Sequence, residues 1–197
     1  MKLLITPTSP FARKARALLL EKQIPCETAP ASPWDDAPEI LAANPLRKIP
    51  VLLLDGGAAV FDSRVICEYL DAQSGAPRFL PEDANARMAV KTREAMIEGA
   101  MDSAAAILMA GKVAPEMQNA AWRKWLSDKI GRTLDALEKD IASRAGGMDM
   151  SDIACFCFLD FILFRLPDED WRPAHPQLEA WFAETAKRES FAKTDPR

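Results

Sequence analysis

Ser9 and Pro10 stand directly behind the apolar run Leu3-Leu4-Ile5, in the stretch Ser9-Pro10-Phe11-Ala12-Arg13-Lys14-Ala15-Arg16. This places a hydroxyl between a predicted strand and a predicted helix. Serine is a favoured N-cap and proline a favoured first helical residue, since its fixed φ suits a helix and its missing N–H would have had no partner there. A helix starting at Pro10 aims its free amides at whatever sits near Ser9, and such an N-terminus favours an anion by about 0.3–1 kcal/mol, or up to 2 when partly buried. Taken alone, the pair reads first as a plain helix cap.

The other chemistry-bearing residues narrow the possibilities by what they exclude. Histidine occurs once, at His175, so a Ser-His-Asp or Cys-His hydrolase would have to recruit that residue and a His-rich metal site is ruled out. Its setting ahead of Pro176, a predicted first helical residue, gives it a structural reading. Cys26, Cys67, Cys155 and Cys157 form no C-x-x-C pair and read as buried free thiols. No GxGxxG or P-loop lysine motif is present, which removes the usual footholds for dinucleotides and nucleoside triphosphates. By themselves, Pro50 reads as a trans proline opening a strand and Asp62-Ser63 as an N-cap with an acid beside it.

The elements that must position these residues change type along the chain. Lys2–Thr6 reads as a strand, Pro10–Lys22 as an amphipathic helix with Arg13, Lys14, Arg16 and Glu21 largely off its apolar face, and Cys26–Ala29 as a strand. Residues 34–43 are proline-punctuated and weakly helical. Val51–Leu54, the turn Asp55-Gly56-Gly57 and Ala58–Phe61 read as a hairpin, and Ser63 opens a helix through Asp71. The order is βαβαββα, a small mixed sheet with helices on its faces.

Beyond a Gly- and Pro-rich linker no strand pattern survives. Residues 86–112, 117–144, 153–166 and 176–187 carry helical periodicity and predict a helical bundle. Asp149 and Asp152 flank the start of its most apolar helix as a capping box.

With 197 residues, 49% of them hydrophobic, the chain can bury a sizeable core. Its net charge of −4 argues against a nucleic-acid partner. The apolar stretch at the N-terminus is too short for a signal peptide or a membrane span, so the expectation is a cytoplasmic protein with no membrane partner.

The ordered set Thr8-Ser9-Pro10-Phe11 with Arg13-Lys14, Asn44-Pro45-Leu46-Arg47-Lys48-Ile49-Pro50-Val51, Phe61-Asp62-Ser63-Arg64-Val65-Ile66 and the Asp149/Asp152 box resembles the glutathione transferase superfamily over essentially the whole chain. His175-Pro176-Gln177-Leu178 with Trp181 and Phe191 resembles the family's closing helix. The resemblance implies an α/β thioredoxin-like domain over 1–75, a linker over 76–84 and an all-α helical-bundle domain over 85–197 that contributes the electrophile site. It also implies a cis proline at Pro50 that turns Ile49 toward a bound peptide, and Asp62-Ser63 holding the γ-glutamyl end of glutathione. Lys48 and Trp34 are implied contacts at the glycyl carboxylate.

Ser9 is then implied as the catalytic hydroxyl that stabilises the glutathione thiolate, with Thr8 as its rival. The only tyrosine, Tyr69, lies deep in the helix after Ser63, which excludes the tyrosine-activated classes. Absence of a cysteine at the active hydroxyl weakens a thiol-transfer role. Met101, Met109 and Trp122 are read as core, with an electrophile pocket as their alternative.

The expected activity is that of a serine-type bacterial glutathione S-transferase acting in detoxification. Glutathione is its co-substrate, it needs no cofactor or metal, its second substrate is a small hydrophobic electrophile, and it is a homodimer. The alternatives are a binding or regulatory protein that keeps the fold without turnover, and a glutathione-dependent reductase or peroxidase.

Overall fold

Leu3, Leu4 and Ile5 form the buried part of β1 (Lys2–Ile5), the strand around which the first part of the chain is organised. This computed structural model describes residues 1–34, 38–73, 75, 77–113, 119–144 and 146–197. β1 pairs in parallel with β2 (Glu27–Pro30) and antiparallel with β3 (Val51–Leu53), which pairs antiparallel with β4 (Ala59–Phe61). The result is a four-stranded mixed sheet of order β2-β1-β3-β4. Gly57 supplies the positive φ of 85° that the β3–β4 turn requires, and Leu54 and Gly57 close that turn by backbone hydrogen bonds.

Helices α1 (Pro10–Glu21), α2 (Pro38–Ala43) and α3 (Ser63–Gln73) complete the expected βαβαββα order. The weak helix expected over 34–43 narrows to α2, and residues 35–37 of that expectation lie outside the described residues. Leu4, Ile40 and Val51 form one apolar cluster, joined by the half-buried Ile49, Leu53 and Phe61.

The remainder is helical, as expected: α4 (Ala84–Val113), α5 (Ala120–Ser143), α6 (Met150–Arg165) and α7 (Pro176–Thr185). The helix expected from 117 starts at Ala120, where Asn119 caps it; residues 114–118 lie outside the described residues. α6 is buried from Met150 through Ile162 and packs on α4, because a helix apolar on every side has no face to give to water. Its capping box is present: Asp149 accepts the N–H groups of Ser151 and Asp152, and Asp152 accepts that of Asp149 at 2.9 Å. Arg93 of α4 reaches Asp152 at 2.8 Å and Arg144 reaches both acids, so the cap is also a charge network.

The chain forms two compact units, Met1–Glu82 with Glu189–Arg197, and Asp83–Arg188. The closing segment, with the short helix α8 (Glu189–Ala192), therefore packs with the sheet unit rather than with the helical domain to which a 85–197 boundary assigns it. The reason is on α1. Arg13 and Lys14, expected off the buried face, are 4% and 0% exposed. Arg13 donates to the Phe191 carbonyl at 3.1 Å and to the Thr194 hydroxyl at 3.4 Å.

The cysteines and His175 mostly follow expectation. Cys67, Cys155 and Cys157 are buried free thiols, and burial pushes the Cys155 thiol up to about 12. Cys26 departs from it, being half-buried just before the exposed β2. His175 bridges the Trp171 carbonyl at 2.8 Å and Asp135 at 3.2 Å ahead of Pro176. Among the described residues no helix is long and apolar enough to cross a membrane.

Candidate functional site at one end of the sheet

Strand register brings the sequence-predicted residues to one end of the sheet. Leu4 lies opposite Val51, and Val51 lies opposite Phe61. The chain leaves β1 toward Ser9 just beyond Leu4, enters β3 from Ile49-Pro50 just before Val51, and leaves β4 into Asp62-Ser63 just after Phe61. The β2 exit joins them: Ile5 pairs with Pro30, Ala31 N–H donates to the Ile5 carbonyl at 2.7 Å, and the Thr6 hydroxyl donates to the Ala31 carbonyl at 2.8 Å. Trp34 follows three residues later and is 63% exposed.

Ser9 is the N-cap of α1, with extended backbone (φ −78°, ψ 124°) and Pro10 as the first helical residue. Its Oγ accepts the Ala12 N–H at 3.3 Å, and its carbonyl accepts the Arg13 N–H at 3.0 Å. The cap uses an acceptor lone pair of the hydroxyl and leaves its O–H proton to donate elsewhere. Thr8, the rival hydroxyl, is half-buried and precedes the cap.

The Ile49–Pro50 bond is cis, which replaces the trans reading of the residues alone with the one the resemblance implied. Asn44 shapes the loop before it: its side-chain amide donates to the Lys48 carbonyl at 2.9 Å and its Oδ1 accepts the Leu46 N–H at 3.0 Å. Lys48 is exposed, Ile49 half-buried and Pro50 buried.

At α3 the cap is Asp62, not Ser63. Asp62 Oδ1 accepts the Arg64 N–H at 2.9 Å, and Ser63 is the first helical residue, 4% exposed. Asp62 has φ 68°, a left-handed conformation that Asp tolerates better than most residues. Burial works against its ionisation, but hydrogen bonds from Arg64 and the charges of Arg64 and Lys14 outweigh it and hold the carboxyl below its ordinary range. The carboxylate thus already holds a cation, the Arg64 guanidinium.

The C-terminal ends of α1 and α3 are joined by a buried ion pair. Lys22 Nζ lies 3.0 Å from Asp71 Oδ1, with side chains 0% and 2% exposed. Asp71 also accepts the Phe79 and Leu80 N–H groups at 3.0 Å each, while Lys22 donates to the Pro77 carbonyl at 2.8 Å. The helices whose N-termini carry Ser9 and Ser63 are therefore pinned together at their other ends.

Residues 3–78 match the family model of the glutathione S-transferase N-terminal domain, and residues 113–184 match that of the glutathione S-transferase C-terminal domain. Over its whole length the chain is 34% identical to the uncharacterized GST-like protein YibF of Escherichia coli strain K12, covering 98% of that relative.

The chain belongs to the glutathione S-transferase family.

A glutathione S-transferase from Methylobacillus flagellatus KT, solved with GSH bound, matches at TM-score 0.93 and 36% identity over 100% of this chain and 99% of that one. A glutathione transferase family member from Pseudomonas fluorescens Pf-5, solved with bound glutathione, matches at TM-score 0.92 and 37% identity over 100% of this chain and 98% of that one. For this glutathione S-transferase family chain, Met101 is fully buried core as expected, Met109 is half-buried, and Trp122 at 39% exposure is not core. Trp122 lies in the first turn of α5, where the helix end leaves one side in water.

Proposed function

We propose that this protein is a glutathione transferase that binds reduced glutathione at the Ser9 end of the sheet and stabilises its thiolate with the Ser9 hydroxyl. The observation that carries this reading is the Ser9 cap at the N-terminus of α1, where the hydroxyl oxygen accepts the Ala12 N–H and its O–H proton is not used by the cap. A thiol of pKa about 8.5 is only a few per cent thiolate at neutral pH, and the thiolate is the nucleophile. Lowering that pKa by two units takes about 2.7 kcal/mol. A hydrogen bond to an ionised partner contributes roughly 1.5–3 kcal/mol. The helix N-terminus adds up to about 2. Together they reach the requirement without a general base.

In this reading Ile49 pairs its main chain with the peptide of glutathione, and Ser63 at the start of α3 takes the γ-glutamyl carboxylate. Asp62 meets the γ-glutamyl ammonium in competition with Arg64. Lys48 takes the glycyl carboxylate, with Trp34 as a second contact to it. The thiol proton passes to solvent and the sulfur bonds to an electrophilic carbon. Either a leaving group departs with its electron pair or the resulting carbanion takes a proton from water. Glutathione is a co-substrate, so no cofactor is required; the helical unit holds the electrophile, and the active form is a cytoplasmic homodimer.

Titration with reduced glutathione by calorimetry, followed by conjugation to a chloronitroaromatic, tests the reading. Binding with turnover supports it. Binding without turnover on a panel of electrophiles contradicts the transferase step, and absence of binding heat contradicts the whole.

A further inference from the structure

Arg13 is joined to the proposed thiolate site at one end and to the end of the chain at the other. Its backbone N–H donates to the Ser9 carbonyl at 3.0 Å, closing the first turn of α1. Its guanidinium donates to Phe191 and Thr194, across sequence separations of 178 and 181 residues, and is 4% exposed.

The closing segment meets α1 along its length. Arg16 reaches the Thr194 carbonyl at 3.5 Å, and the Ser190 hydroxyl donates to Glu21 at 2.5 Å in the last turn. Within the segment, the Thr194 hydroxyl donates to the Ser190 carbonyl at 2.7 Å, and Ser190, Phe191 and Thr194 are all buried. Hydroxyl and carbonyl acceptors around the planar fork of Arg13 fix its orientation as well as its charge, which a lysine cannot reproduce.

We propose that Glu189–Arg197 is a clamp on α1, acting through Arg13 as a positioning residue that holds the Ser9 hydroxyl and the α1 amides in line with the bound thiolate. The proposal rests on the glutathione reading above for its ligand, but the clamp itself is a property of the protein alone. Displacements of about 1 Å at a reacting centre cost up to about a hundredfold in rate, so a loosened α1 acts on the thiolate before it acts on glutathione contacts made elsewhere.

The test uses full-length Arg13→Lys, which keeps the charge and loses the fork, and Thr194→Val, which leaves Arg13 intact and removes one acceptor. Amide hydrogen exchange is followed in peptides from α1 and from α6, and the thiolate absorbance of bound glutathione is titrated against pH. In R13K, exchange in α1 quickens about tenfold with α6 unchanged. The bound thiol pKa rises by about one unit, a tenfold loss of thiolate below it, while the affinity for glutathione changes little. T194V moves both readouts in the same directions by less, and decides the matter should R13K fail to fold.

Unchanged α1 exchange overturns the clamp, as does equal loss of protection in α1 and α6. Faster α1 exchange with an unshifted thiol pKa overturns the positioning role. If the wild-type protein binds no glutathione, the functional reading fails while α1 exchange still decides the clamp.

Discussion

Arg64 grips the carboxylate of Asp62 from two residues along the chain: its backbone N–H and Nε donate to Oδ1 at 2.9 and 3.2 Å, and a terminal nitrogen donates to Oδ2 at 3.2 Å. The pair sits beside Ser63, where the γ-glutamyl end of glutathione is proposed to bind.

Because this carboxyl ionises more easily folded than unfolded, its stabilisation is present above the unfolded pKa of about 3.9 and is lost as pH falls through the lower folded value. Both side chains are nearly half exposed, so the contribution is at most about 1 kcal/mol. Asp62→Asn should be slightly less stable than the parent at pH 7, the difference closing by urea unfolding only as pH falls through the lowered folded pKa of Asp62. Asp62→Ala should lose roughly a further 1 kcal/mol at every pH, because alanine is strained at a positive φ.

The Lys22–Asp71 pair should tolerate far less. Removing one partner of a buried pair leaves an uncompensated charge, at a cost of about 3–5 kcal/mol. Denaturant unfolding of Lys22→Met and Asp71→Asn should show losses of that order, Asp71→Asn also weakening acceptance from the Phe79 and Leu80 amides. The double variant should cost less than the two singles added.

At the α6 cap, burial opposes ionisation of Asp149, but bonds from Ser151 and Arg144 hold its carboxyl low; burial and the neighbouring Asp149 push that of Asp152 up. The signs oppose. Asp149 stabilises above the unfolded pKa and loses that contribution in acid, whereas Asp152 favours the folded state more as it takes up a proton. Asp149→Ala should cost about 1–2 kcal/mol at pH 7, the usual worth of an N-cap. The deficit should shrink below about pH 4 as the parent loses its ionised cap, measured by thermal unfolding across pH.

Thiol accessibility gives a further check. Three of the four cysteines are buried and Cys26 is half-buried with its thiol pushed up by burial. A thiol-titrating disulfide reagent at pH 7 should react slowly with Cys26 alone in the native protein and with all four after unfolding. Rapid native reaction at Cys155 would contradict the burial of α6.

Legibility in the sequence followed the range of the interactions. Ser9-Pro10, the hairpin glycines and the Asp149/Asp152 box act over a few residues, and their caps and turns are where the sequence places them. Helical periodicity assigns Arg13 and Lys14 to water and cannot register a segment nearly the whole chain away that covers Arg13, so their burial is not legible locally. The pairing of Lys22 with Asp71 is illegible for the same reason. So is the role of Glu138 of α5, which accepts the Gln177 and Leu178 N–H groups at the start of α7. At α3 two adjacent residues, Asp62 and Ser63, are both favoured caps, so composition alone does not decide between them; the Arg64 backbone N–H bonded to Asp62 does. Register alone brings Ser9, Pro50 and Ser63 to one sheet end, through the Leu4, Val51 and Phe61 pairings.

The thiol pKa of glutathione bound to Ser9→Ala, read from thiolate absorbance against pH beside the parent and Thr8→Ala, tests the central claim most directly. The account predicts a parent value about two units below that of free glutathione, a rise of one to two units in S9A with little change in affinity, and no shift in T8A. A bound thiol as readily ionised in S9A as in the parent would contradict it.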